Sequence, residues 1–505
     1  MASRSLNMPR AALCVTGLVF LLGLVYLYQP LLGSRSDPFL DTSSPNQNQA
    51  PTTIVTNFEP KLTTDLVQYF EDFPLDPPYK ERFGELGRRT RLLRDLLVSA
   101  DNNHAPSQRN TLLEIVDKTA LILFPFLKAP RTGPPSVGGL SHLRSTIVPG
   151  SVGIVIPAGN NNVRFAAHLI SSLRNVLNSE LPIQIVYAGD GDLSAANRHF
   201  LAELVASSGQ ALDFLDILTV FDDTTLKLRE GGWAIKPFAV LGSRFEKVIL
   251  LDSDAVFLQK PEALLDHPGF QRTGALLFRD RLLWQHAFSD RHQWWHSQIK
   301  RPSAELNTSL VWTQEYAEEG DSGVVVVDKS RTDVFMGLLH ICWQNSNDVR
   351  EEITYKITYG DKETWWMGFE LAGSSYDMEK HYGAIVGWET EIEHESETPE
   401  GDKEKRADPS TKKVCSFVIA HVDEEEKLIW YNGGLLKNKK IPEMKHEYAV
   451  PDKWMVDGEW QKGATREDMS CMVGETMHDL TDEEMRRLEK SIEEAKRIDV
   501  ALHVD

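Results

Sequence analysis

Two aspartates, Asp252 and Asp254, stand either side of a single serine. They follow the apolar run Val248 to Leu251, itself preceded by a helical stretch that opens at Lys236. A short apolar run of this kind reads as a buried strand. In extended chain, side chains two residues apart share a face, so both carboxylates are expected to converge at the strand's end. Like charges held that close repel unless a cation separates them. Hard divalent ions such as Mn2+ or Mg2+ take oxygen ligands and bridge to phosphates. Asp252 and Asp254 are therefore candidate ligands of a metal that grips a diphosphate. The competing reading is a turn in which an aspartate bonds its own backbone.

The elements that must position this pair are legible upstream. Apolar segments SVGIVIPAG, IQIVYAGDGD and LDFLDILTVF alternate with the helical patterns RFAAHLISSLRNVL and SAANRHFLAELVASSG. That alternation predicts an α/β fold with a mostly parallel central sheet and helices on both faces. Ligands of such sheets sit on the loops beyond the strands' carboxyl ends. Those loops carry Gly159-Asn160, Gly189 to Asp192, and Asp222-Asp223. No GxGxxG turn into a helix and no P-loop is present, which argues against a dinucleotide-binding protein or an ATPase. Further downstream, Asp321-Ser322-Gly323 leads into Val324 to Val327, and Gly360-Asp361-Lys362 precedes a predicted helix opened by Trp365 and Trp366. These tryptophans read as sugar-stacking platforms or as core. Asn432-Gly433-Gly434 is a tight turn and a candidate ligand loop. His286, His292 and His296 lie in WQHAFSDRHQWWHSQ at spacings unlike a zinc motif. That stretch is expected to be an exposed aromatic loop that holds a glycan, or else a plain surface loop.

The 505 residues carry 54 basic and 74 acidic side chains, a net charge of −20 that disfavours nucleic acid. The length accommodates one large α/β unit with appendages, or about three domains. Residues 1–10 carry Arg4 and Arg10, and residues 11–32 are uncharged and almost wholly apolar. The basic flank and apolar length predict a single-pass anchor with the short tail cytosolic and the rest lumenal or extracellular. A cleaved signal peptide is the competing reading. Residues 33–58 read as a polar stem, residues 59–130 as helical, residues 150–480 as the main α/β domain and residues 481–505 as a terminal helix with a capping box at Thr481 and Glu484. In the helical region, Arg88, Arg89, Arg91 and Arg94 are expected on a solvated face opposite Leu86, Leu93 and Leu97. Pro130 to Gly139 reads as a linker, and Glu389 to Lys413 as an exposed, charge-dense loop. The triplet Asn307-Thr308-Ser309 is an N-glycosylation sequon, as expected of a secretory chain. With Cys14 in the anchor, Cys342, Cys415 and Cys471 allow at most one disulfide and leave one thiol over.

Five segments carry a resemblance: KPFAVLGSRFEKVILLDSDAVFLQKPE, GALLFRDR, EEGDSGVVVVDKSR, YGDKETWWMGFELAGSSY and FVIAHVDEEEKLIWYNGG. Their types and order resemble the fungal Golgi α-mannosyltransferases, the α-1,3 subgroup above all, and the GT-A fold of nucleotide-sugar-dependent glycosyltransferases. The resemblance implies a type II Golgi membrane enzyme that moves mannose from GDP-mannose onto mannose-terminated glycans of glycoproteins, with retention and with Mn2+. By similarity to retaining enzymes of the glycogenin type, Lys236 contacts the aspartate pair or the donor phosphate. His421 completes the metal set with Asp252 and Asp254, and Lys427, six residues later, holds the diphosphate. Asp361 stands beside the transferred sugar, as does Asp321 with Ser322 and Gly323. Gly159, Lys362, Trp365 and Asn432 are implied donor-site residues. With no second carboxylate to act as a nucleophile, the expected route is same-face attack. The alternatives are an α-1,2 linkage or another nucleotide sugar, an anchored glycan-binding protein that has lost activity, and a glycosidase built on two opposed acids.

Overall fold

The apolar runs form strands. In a computed structural model of the chain, residues 60–130, 138–206, 210–391 and 411–504 are described. The expected anchor and stem lie outside these residues, as do residues 131–137 of the linker and 392–410 of the charged stretch. No helix among the described residues is long and apolar enough to cross a membrane. The chain divides into two units, Met1–Asp65 and Leu66–Asp505, and only the opening of the helix Pro60–Asp72 is described for the first.

In chain order the strands are β1 (Val148–Pro157), β2 (Ile183–Tyr187), β3 (Asp213–Asp216), β4 (Phe245–Leu251), β5 (Ala255–Phe257), β6 (Ala275–Arg279), β7 (Gly320–Asp328) and β8 (Asp377–Met378). All but β5 join one sheet, in the order β3-β2-β1-β4-β7-β6-β8. The half from β3 to β4 is parallel, β7 runs antiparallel to both its neighbours, and β6 pairs with β8 in parallel. The predicted α/β class with a mostly parallel sheet is what forms. Helices Val163–Ser171 and Ala195–Leu204 make the crossovers between β1, β2 and β3.

Alternation along the strands divides the core between two faces. Ile154 and Ile156 of β1, Ile249 and Leu251 of β4, and Val324 and Val326 of β7 pack with Val163, Ala167 and Ile170 of the first crossover helix. The opposite face lies under the helices Ile235–Gly242, Thr332–Gln344 and Thr364–Ala372. Val248, Leu250, Val325 and Val327 on that face are fully buried. Each such side chain contributes about 1.5–3 kcal/mol, so the strand that ends at Asp252 is a fixed platform.

A second sheet is built from β9 (Ile385–Glu389), β10 (Lys412–Ser416), β13 (Lys453–Met455), β14 (Glu459–Gln461), β15 (Ser470–Gly474) and β16 (His478–Asp479). Thus both ends of the charged stretch are strands rather than loop. The hairpin of β11 (Ile419–Val422) and β12 (Leu428–Asn432) pairs with β5 in a third sheet. Cys415 and Cys471, opposed across β10 and β15, form a disulfide, and Cys342 is free and buried. The terminal helix Asp482–Ala501 begins with the expected capping box, and Leu488, Ile492 and Ala495 pack into the core beside β5, β11 and β12.

Two expectations fail. The arginine flank of the helix Phe83–Asp101 is a solvated face only at Arg88. Arg89 is buried over the Phe70 ring and donates to the Phe73 carbonyl at 2.7 Å, and Arg91 donates to the Leu371 carbonyl. The cause is tertiary: this helix packs against Pro106–Leu123, Thr332–Gln344 and Thr364–Ala372, so partners meet it on more than its leucine stripe. The histidine stretch is not an exposed loop either. It is largely the helix Ser289–Gln298, whose His292 and Trp295 are fully buried edge to face, while His286 and His296 remain outside.

Candidate active site

The site forms where β4 ends. The Asp252 N–H donates to the Gly323 carbonyl of β7 at 2.8 Å, fixing the two strand ends together. The chain then turns, with the Ala255 N–H donating to the Asp252 carbonyl at 3.0 Å. Residues 252–254 are therefore not extended, and the two aspartates do not share a face as expected.

Asp252 faces inward. Lys236, in the first turn of the helix Ile235–Gly242, places its ammonium 2.8 Å from Asp252 Oδ1 and 3.5 Å from Asp361 Oδ1. The same ammonium donates to the Ser322 hydroxyl at 3.1 Å and to the Ser322 carbonyl at 3.2 Å. Burial opposes the charge on Lys236, but Asp252 and Asp361 outweigh it and its pKa rises. Desolvation raises the Asp252 carboxyl, Lys236 lowers it and Asp361 raises it again, with a net upward shift. Asp361 is held from behind: the Trp365 indole N–H donates to its Oδ2 at 2.8 Å.

Asp321 forms the second half of the cluster. Its Oδ2 meets His421 Nε2 at 3.2 Å, and its Oδ1 accepts from the Asn432 amide at 3.0 Å and the Gly323 N–H at 3.0 Å. Burial opposes ionisation of Asp321, but Lys362, His421 and the Gly323 N–H hold its carboxyl well below the usual range. His421 stacks on Trp430 with ring centres 4.2 Å apart. Gly323 is required here, since a Cβ would come within 2.8 Å of the Asn432 amide and 2.9 Å of the Trp430 ring.

Asp254 faces elsewhere. It pairs with Lys439, and with Ser253, Phe165, His168, Gly434 and Leu435 it lines a small cavity. Its carbonyl accepts from the Gly433 N–H at 3.3 Å, and Gly434 has φ +81°, a left-handed conformation that favours glycine.

The fold thus brings together Lys236, Asp252, Asp321, Ser322, Gly323, Asp361, His421 and Asn432. Trp365 is there as a buried support of Asp361, 1% exposed, and not as a platform for a sugar. Lys362 joins through its pair with Asp280, which outweighs burial and, with Asp321 and Glu318, raises the lysine's pKa. Lys427 is not part of the cluster: it is exposed in the turn between β11 and β12, where its N–H donates to Asp423 at 2.8 Å. Gly159 lies beyond β1, its N–H bonded to Asn162 Oδ1 at 2.7 Å, in a loop packed against Asp192 rather than against the cluster. Lys439 and Asp280 are the residues the sequence reading misses. Lys439 sits in the run KNKK, which on sequence grounds is a solvated charge run like any other.

The expected Mn2+ or Mg2+ ligands Asp252, Asp254 and His421 do not converge, because each already faces a different partner: Lys236, Lys439 and Asp321. Among the described residues no three His, Cys, Asp or Glu side chains are placed to hold a cation. As arranged, the donor set does not fit a three-ligand divalent ion. What the cluster offers is buried carboxylates held in place by two lysines, Lys236 and Lys362, at the end of the central sheet.

Residues 151–423 match the family model described as "Mannosyltransferase putative", and that span exceeds half of the 505 residues. The chain belongs to this mannosyltransferase family. The matched segment of this mannosyltransferase-family chain contains Lys236, Asp252, Asp321, Asp361 and His421, but ends before Lys439. The alpha-1,3-mannosyltransferase MNT3 of Saccharomyces cerevisiae is 30% identical over 291 residues, covering 51% of this chain and 42% of that protein. The alpha-1,3-mannosyltransferase MNN1 of the same yeast is 26% identical over 355 residues, covering 61% of this chain and 43% of that protein. The matches thus span less than half the length of these two relatives. A solved structure of the mannosyltransferase Ktr4p from S. cerevisiae, in complex with GDP, is similar over 64% of this chain and 84% of that one, with 10% identity and a TM-score of 0.30.

Proposed function

We propose that this chain is a type II Golgi membrane enzyme with a GT-A-like catalytic domain. In this reading it transfers mannose from GDP-mannose, in α-1,3 linkage and with retention, to mannose-containing glycans of glycoproteins. Family membership and the relatives named alpha-1,3-mannosyltransferase support the reaction class. The apolar stretch of residues 11–32 and the Cys415–Cys471 disulfide support a secretory location.

The observation that carries the reading is the Lys236 ammonium between Asp252, Asp361 and Ser322 at a sheet end. Transfer breaks the bond between the anomeric carbon and the donor's β-phosphate oxygen and forms one to the acceptor oxygen. The acceptor's hydroxyl proton leaves with the phosphate oxygen when attack is from the same face. Lysines Lys236 and Lys439 supply positive charge for the departing diphosphate, an effect that is strong in a desolvated site. Asp361, fixed by Trp365, supplies negative charge for the oxocarbenium-like sugar, and Asp321 reinforces it. A Mn2+ or Mg2+ ion held by these aspartates would have to displace Lys236 from Asp252 or Lys439 from Asp254.

The test is incubation of the purified full chain in detergent with a panel of nucleotide sugars and mannose oligomers, with and without Mn2+. Product linkage is read by NMR. An α-1,3-mannosylated product from GDP-mannose alone is expected; no transfer from any sugar nucleotide overturns the proposal.

A further inference from the structure

Among the described residues seven large hydrophobic side chains stand exposed, and Trp233 and Tyr359 are the two of them whose rings meet. Trp233 is 47% exposed and Tyr359 59%, with ring centres 5.2 Å apart and planes inclined at 45°. Burying that much ring would release free energy, so a paired and exposed aromatic surface marks a place where a ligand docks. The pair is held in position. The Trp233 ring lies against Gly360, where a Cβ would come within 2.7 Å of it. In the loop that carries Tyr359, the Thr358 hydroxyl lies 3.0 Å from the Thr354 carbonyl and 2.8 Å from the Gly360 carbonyl. Arg291 braces the same loop by donating to the Ile357 carbonyl at 3.0 Å. Among the described residues neither the Trp233 indole N–H nor the Tyr359 hydroxyl has a hydrogen-bond partner, so each ring keeps a polar edge for a ligand.

The pair adjoins the candidate active site through the chain itself. Trp233 lies in the short turn Gly232–Ala234, which runs straight into the helix Ile235–Gly242, about one turn before Lys236. Tyr359 stands two residues before Asp361, a span of no more than about 7 Å. Lys236 and Asp361 meet at 3.5 Å, so the two segments that carry the rings converge on this ammonium and carboxylate. They join the cluster at Asp361, beside the transferred sugar, whereas the diphosphate is assigned to Lys236 and Lys439. The shape of the pair also discriminates. Ring centres 5.2 Å apart leave no room for a base between them, because stacking on both sides needs about 7 Å. Planes at 45° offer no common face to a flat base either. A pyranose is puckered, with C–H groups on its faces and hydroxyls around its rim. Its C–H groups can bury on the rings while its hydroxyls reach the free N–H and O–H.

We propose that Trp233 and Tyr359 form the acceptor platform, on which a neutral pyranose ring of the mannose-containing glycan stacks beside Asp361. The inference rests on the transferase reading and adds to it the residues that select the acceptor.

The test uses the full chain in detergent, with mannotriose as the probe. Calorimetric titration of mannotriose, and its mannosylation from GDP-mannose, are measured for the native chain, Trp233→Ala, Tyr359→Ala and Tyr359→Phe. Each alanine variant is expected to bind mannotriose at least about tenfold more weakly and to raise its KM in proportion. The KM for GDP-mannose is expected to stay within about twofold, and kcat at saturating acceptor within about threefold, as loss of uniform binding requires. Tyr359→Phe keeps the ring and is expected to retain most of the affinity. The thermal midpoint of Tyr359→Ala is expected to be unchanged, because that ring is exposed. Equal mannotriose binding by the native chain and both alanine variants overturns the inference. So does a raised KM for GDP-mannose with an unchanged KM for mannotriose, which assigns the rings to the nucleotide, and so does a Tyr359→Phe variant as weak as Tyr359→Ala. The two claims fail separately. Transfer with an unchanged mannotriose KM in both alanine variants leaves the transferase reading standing and removes this one. Ring-dependent mannotriose binding without transfer from any nucleotide sugar keeps the sugar platform and removes the transferase reading.

Discussion

Lys236 is the residue on which the cluster turns. It is the buried positive charge shared by Asp252 and Asp361, so its loss strands two carboxylates. Lys236→Met is expected to destabilise the fold by about 3–5 kcal/mol, read as a drop in the thermal midpoint. Asp252→Ala is a gentler structural change, since Asp361 still faces Lys236, yet it is expected to cut turnover by at least about 100-fold. A radiolabelled-mannose transfer assay checks this beside a circular dichroism melt, and near-normal turnover removes Asp252 from the site. The two lysines after β11 divide cleanly. Lys427→Ala is expected to leave activity within twofold and stability within about 0.5 kcal/mol, because it is exposed. Lys439→Ala frees Asp254 and is expected to tighten Mn2+ binding in the absence of nucleotide, read by electron paramagnetic resonance titration. The spacing of His421 and Lys427 gave a reasonable expectation, but spacing along a hairpin does not reveal that its turn points to solvent.

Helices supply the next level of control. His340 lies fully buried in the helix Thr332–Gln344, donating from Nε2 to the Phe83 carbonyl at 3.1 Å and accepting at Nδ1 from Gln344 at 3.1 Å. Burial pushes its pKa down to about 4, and the backbone bonds only partly offset this. The folded chain therefore keeps it neutral where the unfolded chain, with an ordinary value of about 6.5, is protonated. The contribution is complete above about pH 6.5 and is lost as pH falls toward 4. Linkage puts the loss at about 3 kcal/mol. Urea unfolding at stepped pH is expected to show this slope, and His340→Gln to flatten it. The C-terminal helix docks through Asp499, which pairs with Arg164 at 2.6 Å and with His168 at 2.9 Å. Its amphipathic stripe and capping box were plain in the sequence because they depend on neighbours within one turn. The burial of Arg89 and Arg91 was not, because it depends on partners more distant in the chain.

At the level of the whole molecule, a sheet of mostly parallel strands carries the candidate site at the end of β4, and the β11–β12 hairpin of the third sheet brings His421 and Asn432 to it. The disulfide Cys415–Cys471 joins β10 to β15 and closes a loop with a sequence separation of 56 residues that includes the β11–β12 hairpin. Removing it with Cys471→Ser is expected to cost about 4 kcal/mol by the loop-entropy rule, measured by denaturant unfolding with and without reductant. The free Cys342 is buried and burial raises its pKa well above the ordinary thiol value, so labelling of the native oxidised chain by a thiol reagent is expected to be slow.

Family resemblance singled out Lys236, Asp321 and Asp361; the sequence by itself determined the strands and helices of the central sheet, the placing of Asp252 and Asp254 at the end of a buried strand, and the terminal helix with its cap. Each follows from local period and from residue type, which act over a few residues. Only the tertiary structure decided that Asp252 and Asp254 face apart, that His421 turns to Asp321, that Trp365 braces a carboxylate, and that Lys439 rather than Lys427 reaches the aspartates. These outcomes depend on which side chains far apart in the chain come within a few ångströms. Packing and charge neutralisation in a buried space settle that, and no spacing rule along the chain contains it.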